Sequence, residues 1–419
     1  MSVISLRHQL VYLLLLFCLM VVLIPNTAWE GDMVSWVRWS TYSFEHGLAN
    51  VYEQANDDYN PLYHYVLWFY GQSMGSVEKI VHFCHYLKAY TLVFDFAGAW
   101  WAASLVPERS RRFGLALLLL LNAGYLYNTL IWVQVDAIYT FFSFGAVALA
   151  ARRHPVGSML LFVLAIATKT QAIIFLPPLL LLWAPQWYHR PRQLAGALVA
   201  AVALSTLVLA PFIWGGWENY LPRIIYLNFH AVGRLPYISI NAYNIWFLVS
   251  SSDTLNVTVD TLPFAGLTYH LWGLIGFLTA STVVLAPLLA ASWRALRSGG
   301  TQQPNLALVL LSCGAVPLVF CFFNTQMHER YWHSAILFLA AYAFVRRDYL
   351  PLVLVSVANF LQLERIMGQL HLMKYTVLVF KPSFIAGLFA LLVGLVVVKL
   401  YRLAPWRLEP AATPGLVLR

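Results

Sequence analysis

The chain has 419 residues, of which 61% are hydrophobic and 10% charged, with a formal net charge of +9. A soluble domain is about 25% charged, so this composition excludes a string of soluble domains and predicts one integral-membrane body over residues 1–419. The four cysteines (Cys18, Cys84, Cys313, Cys321) lie in apolar stretches without CxxC spacing, which predicts small core residues and neither a disulfide framework nor a metal site.

The apolar runs, in chain order, predict an all-α polytopic membrane protein with about twelve transmembrane helices. They cover 8–28, 80–106, 113–131, 133–151, 156–171, 172–187, 194–214, 268–292, 304–323, 333–346, 349–363 and 383–402. The first has the n-region and h-region of a signal peptide without a clear small-residue cleavage site, and reads as a retained signal-anchor helix. The second carries His82, His85, Lys88 and Asp95, a stripe expected to face the bundle interior and register the helices. Between 133 and 187, Lys169 interrupts one run and Pro177-Pro178 breaks another.

Two connections are far longer than linkers need to be. One is 29–79, holding Asp32, Asp57 and Asp58; the other is 215–267, rich in Trp, Tyr, Asn and Pro. Both are expected to carry short helices lying along the membrane surface. In the first, Val34, Trp36, Val37, Trp39 and Tyr42 are spaced for one amphipathic face.

Basic clusters recur after every second span: Arg109/Arg111/Arg112, Arg152/Arg153, Arg190/Arg192, Arg294/Arg297, Arg346/Arg347 and Lys399/Arg402/Arg407. The positive-inside rule puts these turns, and both termini, in the cytoplasm. The two long loops and most acidic residues, Asp253, Asp260 and Glu364 among them, then fall on the extracytoplasmic face. The positive charge is thus a topology signal; nucleic-acid binding would need a basic aromatic patch that is lacking.

Five strings lie at span ends or loops of that acidic face: Asp58-Tyr59-Asn60-Pro61-Leu62, Trp132-Val133-Gln134-Val135-Asp136, Thr168-Lys169-Thr170-Gln171-Ala172, Asn241-Ala242-Tyr243-Asn244-Ile245-Trp246 and Met327-His328-Glu329-Arg330-Tyr331. Together they resemble the GT-C superfamily of integral-membrane glycosyltransferases, nearest its bacterial mannosyl- or glucosyltransferase branches. The likeness runs from Asp32 to the tenth span. The family patterns have the form D-Y-P-P-L, W-G-Q-V-D, K-P-Q-A and H-E-R-Y. This chain departs from them at Asn60, Val133 and Thr170, where the patterns carry proline, glycine and proline.

The resemblance implies an inverting transfer of a hexose, mannose or glucose, from a polyprenyl-phosphate donor to a glycan, lipid or protein hydroxyl. It places the active site on the extracytoplasmic face of a plasma (inner) membrane and assigns the base to the acidic residue after span one, here Asp32. A solvated loop residue or helix N-cap is the bland alternative for Asp32. Asp57 and Asp58 are competing bases, and an Asx-turn is the alternative for Asp58. The departing phosphate needs cations, for which Arg330, Lys169 and His328 are candidates; snorkelling to lipid headgroups is the alternative for the first two. Glu329 is expected to orient Arg330. Gln134 and Asp136 are substrate-contact candidates, Asp136 equally a structural partner of Lys169. Tyr59, Trp36, Asn244 and Trp246 complete the expected substrate site, the aromatics stacking on sugar faces. The isoprenoid tail is expected in a lateral groove. No obligatory metal or other cofactor is implied, and the Asn256-Val257-Thr258 sequon matters only in a eukaryotic secretory compartment. Two other classes compete. A transporter would have short outer loops and a midplane site. A scaffold, or a ligase or polymerase of lipid-linked polysaccharide, would share the loops but not the need for Asp32.

Overall fold

In a computed structural model of the chain, residues 5–54, 57–230, 233–250, 254–299 and 303–406 are described. Arg407 and Asp253 lie outside them. The helices are α1 (Leu6–Val22), α2 (Glu30–His46), α3 (Pro61–Met74), α4 (Val77–His82), α5 (Leu87–Ser104), α6 (Arg109–Leu120), α7 (Ala123–Tyr127), α8 (Asp136–Ala151), α9 (Pro155–Thr168), α10 (Leu176–His189), α11 (Pro191–Ala210), α12 (Leu221–Phe229), α13 (Trp246–Val249), α14 (Tyr269–Arg297), α15 (Leu306–Phe323), α16 (His333–Arg346), α17 (Leu350–Met367) and α18 (Pro382–Arg402). The largest strand pairing among the described residues joins Pro263–Phe264 to Leu267–Thr268. The fold is all-α.

Local chemistry sets the helix ends. Asn122, Thr268 and Asn305 accept from backbone N–H groups of the first turns of α7, α14 and α15. Proline opens α3, α9, α11 and α18, where its missing N–H costs nothing. The same rule corrects one expectation: Pro177-Pro178 sits in the first turn of α10 and starts that helix rather than breaking it.

Helices stand where all twelve apolar runs lie, with altered bounds. Five are long and apolar enough to cross a membrane: α11 with its extension to Gly215, α14, α15, α17 and α18. The bent pair α6–α7 makes a sixth, its halves 55° apart. Twelve spans are therefore not reached by length and composition. The run at 80–106 is interrupted between His82 and Leu87 by a 3-10 turn, Cys84–Tyr86. The first run ends as helix at Val22.

α15 is apolar all round and its window is 83% buried, whereas those of α11 and α14 are 17% and 22% buried. α15 thus forms the centre, packed on α14, α16 and α18. Apolar residues face outward on α1 (Leu10, Leu14, Leu15), α11 (Val199, Val202, Leu207) and α14 (Leu274, Leu278). Water does not solvate so continuous an apolar belt, and a bilayer does. Cys313 and Cys321 are buried as expected, but Cys18 is exposed on α1 and Cys84 is half-buried.

The basic turns gather at one end of the bundle. Arg347 bonds Glu108 and Lys399 bonds Asp348. Arg294 donates to Pro405 O, His189 contacts Leu296 O, and Gln186 donates to Ala150 O. These five links connect the helix ends that carry the six clusters.

The long loops are substantially helical. The first folds into α2, α3 and α4, the second into α12, α13 and the short ribbon. The inward face of α2 is Met33, Trp36, Trp39, Ser40 and Ser43, while Val34 is 58% exposed. The expected stripe through Val34 and Tyr42 is thus rotated, because α2 packs on α3 and buries the Trp36–Trp39 side.

Candidate active site

Asp32 is the third residue of α2, not its N-cap, which is Trp29. Free N–H groups and the helix dipole favour a carboxylate in this first turn. Its Oδ2 accepts from Trp132 Nε1 at 2.9 Å and from the Gln134 amide. Both donors come from an irregular stretch, where α7 runs into a π turn (Asn128–Trp132) and Val133 follows at φ 74°, ψ 41°. π segments concentrate at functional sites, and a β-branched residue in the left-handed region is a true outlier. Val133 stands where the family pattern has glycine, the residue that adopts this backbone most easily.

Arg330 approaches from the loop between α15 and α16, its Nη1 2.9 Å from Glu329 Oε1 and 3.9 Å from Asp32 Oδ2. Its Nε is buried and bonds no described residue. The loop is held by backbone bridges from Ile240 and Asn241 to His328, and by Gln362, which donates to Glu329 O and accepts from Tyr243 N. Glu329 Oε1 thus accepts from Arg330 Nη1 within the same loop. Burial pushes the Glu329 carboxyl up to about 7, with the Arg330 charge opposing the rise. Burial, then Arg330 and Lys169, push the His328 imidazole well below its ordinary value, so it stays neutral. His328 Nδ1 is 3.9 Å from Glu329 Oε1.

Lys169 ends α9 in an extended conformation. Its Nζ lies 2.5 Å from Asp136 Oδ1, and Asn128 Nδ2 donates to Asp136 Oδ2 at 2.9 Å. The ammonium lies over the Tyr331 ring at 5.1 Å. Asp136 is completely buried, while the Asp32 and Lys169 side chains keep 20% and 11% of their surface. Three carboxylates and two cations thus meet at the end of the bundle opposite the basic turns. Arg330 keeps 11% as well, so the accessible groups offer one acceptor and two cations to a ligand.

Other expected residues are engaged differently. Asp57 is buried, its Oδ1 3.1 Å from His64 Nε2 and 3.2 Å from Tyr59 N. The Asx-turn held open as the alternative for Asp58 is made by Asp57 instead. Asp58 pairs with Arg234. Trp36 is 1% exposed, donates to Val133 O at 3.1 Å and packs edge-on to Tyr59 and Tyr63, so it offers no free ring face. Trp246 is 4% exposed among Ile238, Leu255, Phe264 and Tyr269. Asn244 donates to Cys321 O and Asn324 O, 3.1 and 3.2 Å away. Trp246 and Asn244 brace the second loop. Tyr59 is only partly covered.

The departures at Asn60 and Thr170 meet in space. Asn60 Nδ2 lies 3.3 Å from Thr170 Oγ1, and both side chains bond Asn228 of α12. Two polar residues joined by a third occupy the positions where the pattern has two prolines.

Sequence reasoning passed over Trp132, Asn128 and Gln362. Trp132 heads the Trp-Val-Gln-Val-Asp string, a usable signal; Asn128 and Gln362 had none. Among the described residues no group of three or more His, Cys, Asp or Glu has metal-holding geometry. No family model matches the chain, and no curated protein matches it in sequence.

Proposed function

We propose that the protein is a GT-C-type glycosyltransferase that moves a hexose from a polyprenyl-phosphate donor to an acceptor hydroxyl, with inversion. The observation that carries this reading is the partly exposed Asp32 carboxylate set 3.9 Å from Arg330, beside the Lys169–Asp136 pair. A transfer of this kind needs, in one site, a base for the acceptor hydroxyl and cations for the leaving phosphate.

Asp32 Oδ2 is committed to Trp132 and Gln134, which fixes the carboxylate plane. Oδ1 takes the acceptor proton as the hydroxyl oxygen attacks the anomeric carbon. The carbon–phosphate-oxygen bond breaks, and the polyprenyl phosphate leaves with the electron pair. Arg330 presents a planar fork to that phosphate and Lys169 a point charge. His328, being neutral, donates one hydrogen bond. Of the remaining candidates, Tyr59 keeps surface for substrate contact, whereas the buried Gln134, Asp136 and Glu329 act through Asp32, Lys169 and Arg330, to which they bond.

An apolar groove of about 540 Å³ runs between α14, α15 and α18, lined by Ile275, Val283, Val319, Phe323, Val393 and Trp246. Phe323 is five residues from His328, and the groove suits a prenyl tail. With the basic turns cytoplasmic, the reacting groups lie on the extracytoplasmic side of the plasma (inner) membrane.

The test is hexose transfer or slow donor hydrolysis by the purified protein in nanodiscs. Donors are polyprenyl-phosphate mannose, glucose and arabinose, each with wild type and Asp32→Asn. Turnover of the mannose or glucose donor, lost in a monodisperse Asp32→Asn protein, supports the reading, and turnover of the arabinose donor alone keeps the transferase but overturns the hexose. Unchanged turnover in the variant moves the base away from Asp32, and absence of turnover and binding across the panel rejects the transferase.

A further inference from the structure

The irregular stretch that holds Asp32 has an unusual hydrogen-bond pattern. After the π turn the chain swings into the left-handed Val133, so the N–H groups that would continue the helix point elsewhere. The last carbonyls of a helix then need outside donors. Four in succession receive them. Leu130 O accepts from Lys88 Nζ at 2.6 Å, Ile131 O from Thr27 Oγ1 at 3.2 Å, Trp132 O from Trp29 N at 3.3 Å, and Val133 O from Trp36 Nε1 at 3.1 Å. The donors advance along the α1–α2 link and α2 as the acceptors advance along the turn. Asp32 sits between the last two donors, and the Trp29 and Trp132 rings stack at 5.3 Å.

Lys88 closes the first rung from a third element, α5. Its ammonium is fully buried and donates also to Pro25 O at 2.8 Å and Thr27 O at 2.5 Å. All three N–H bonds are thus spent on carbonyls, and Lys88 has no carboxylate partner among the described residues. A cation on the carbonyl end of a helical turn is favoured, and its three bonds tie the link to the turn at one register.

We propose that Lys88 is the positioning residue for Asp32: it locks the four-rung ladder at the register where the carboxylate meets Trp132 and Gln134. This rests on the reading of Asp32 as the base. The test compares wild type, Lys88→Met and Thr27→Val, the last removing one rung by exchanging hydroxyl for methyl and serving alone if Lys88→Met does not fold. Turnover is expressed per donor-binding site, so loss of folded protein lowers the number of sites and leaves the rate per site unchanged. The expected result is a fall of about tenfold to a hundredfold in rate per site for Lys88→Met, a smaller fall for Thr27→Val, and an unchanged KM for donor. Unchanged rate per site in the folded variants overturns the proposal.

Amide exchange is read on the same proteins without substrate. Faster exchange at Trp29 and Gln134, with α15 and α18 unchanged, supports the ladder even if wild type turns over no donor, in which case only the transferase reading falls. Wild-type exchange at those amides in the variants overturns the ladder.

Discussion

Glu329 shows how burial tunes a residue at this site. Its carboxyl is pushed from 4.5 to about 7, so the folded chain keeps a proton that the unfolded chain has lost across that window. Stability therefore falls as pH rises from about 4.5 through about 7, because the folded state binds more protons there. Protonated Glu329 no longer neutralises Arg330, so affinity for a phosphate anion rises as pH falls through the same window. Glu329→Gln should flatten both trends, read as unfolding midpoint and as Kd against pH for a decyl methyl phosphate diester, whose single charge is constant across the window.

The Lys169–Asp136 pair permits a separation of structural and functional roles at single residues. Lys169→Met leaves a buried carboxylate unpaired and is expected to cost about 3–5 kcal/mol, whereas the double variant with Asp136→Asn removes both charges and recovers most of it. If Lys169 also holds the donor phosphate, the stable double variant stays inactive. Thermal unfolding together with donor binding on the two proteins checks this; a stable and active double variant confines Lys169 to a structural role.

At the scale of elements, the site depends on how closely α7 approaches α17. A Cβ at Gly124 would lie 2.2 Å from Ser356 O, a backbone atom that cannot swing aside. Asn122 Nδ2 donates to Ser356 Oγ at 2.7 Å and Asn359 Nδ2 to Gly124 O at 2.9 Å, so polar bonds bracket the contact. Gly124→Ala should force the helices apart at about 1–3 kcal/mol, the usual scale of overpacking. The π turn starts four residues later, at Asn128, so donor turnover should fall as well. An unfolding midpoint equal to wild type would show that the approach is not tight.

At the scale of the whole molecule, polarity is the organising fact. The linked basic turns occupy one end, and Asp32, Asp136, Glu329, Lys169 and Arg330 the other. If the proposed orientation holds, cysteines placed at Ser110 beside Arg109 and at Val257 in the second loop, with Cys18 and Cys84 replaced, react with an impermeant maleimide from opposite sides of sealed vesicles. Val257→Cys should label from outside and Ser110→Cys only after permeabilisation. Labelling of both from one side would overturn the orientation.

Much of this plan follows from sequence alone. Apolar runs mark where helices lie because burial in core or lipid demands them. Arginine clusters mark one end because each lies at or beside a helix end. Glu329–Arg330 is legible from adjacency, and Lys169–Asp136 from the cost of leaving either charge unpaired in an apolar setting.

Tertiary structure alone decided the rest. Asp32 meets Trp132 and Gln134 across about a hundred residues of chain, and no local pattern records that distance. Lys88 binds three backbone carbonyls, and a carbonyl carries no sequence signature. Which of Asp57 and Asp58 forms the turn, whether Trp36 shows a face or buries it, and where Val133 bends the chain all depend on what packs opposite. Side-chain type sets what each residue is able to do; the elements brought against it select which of those things it does.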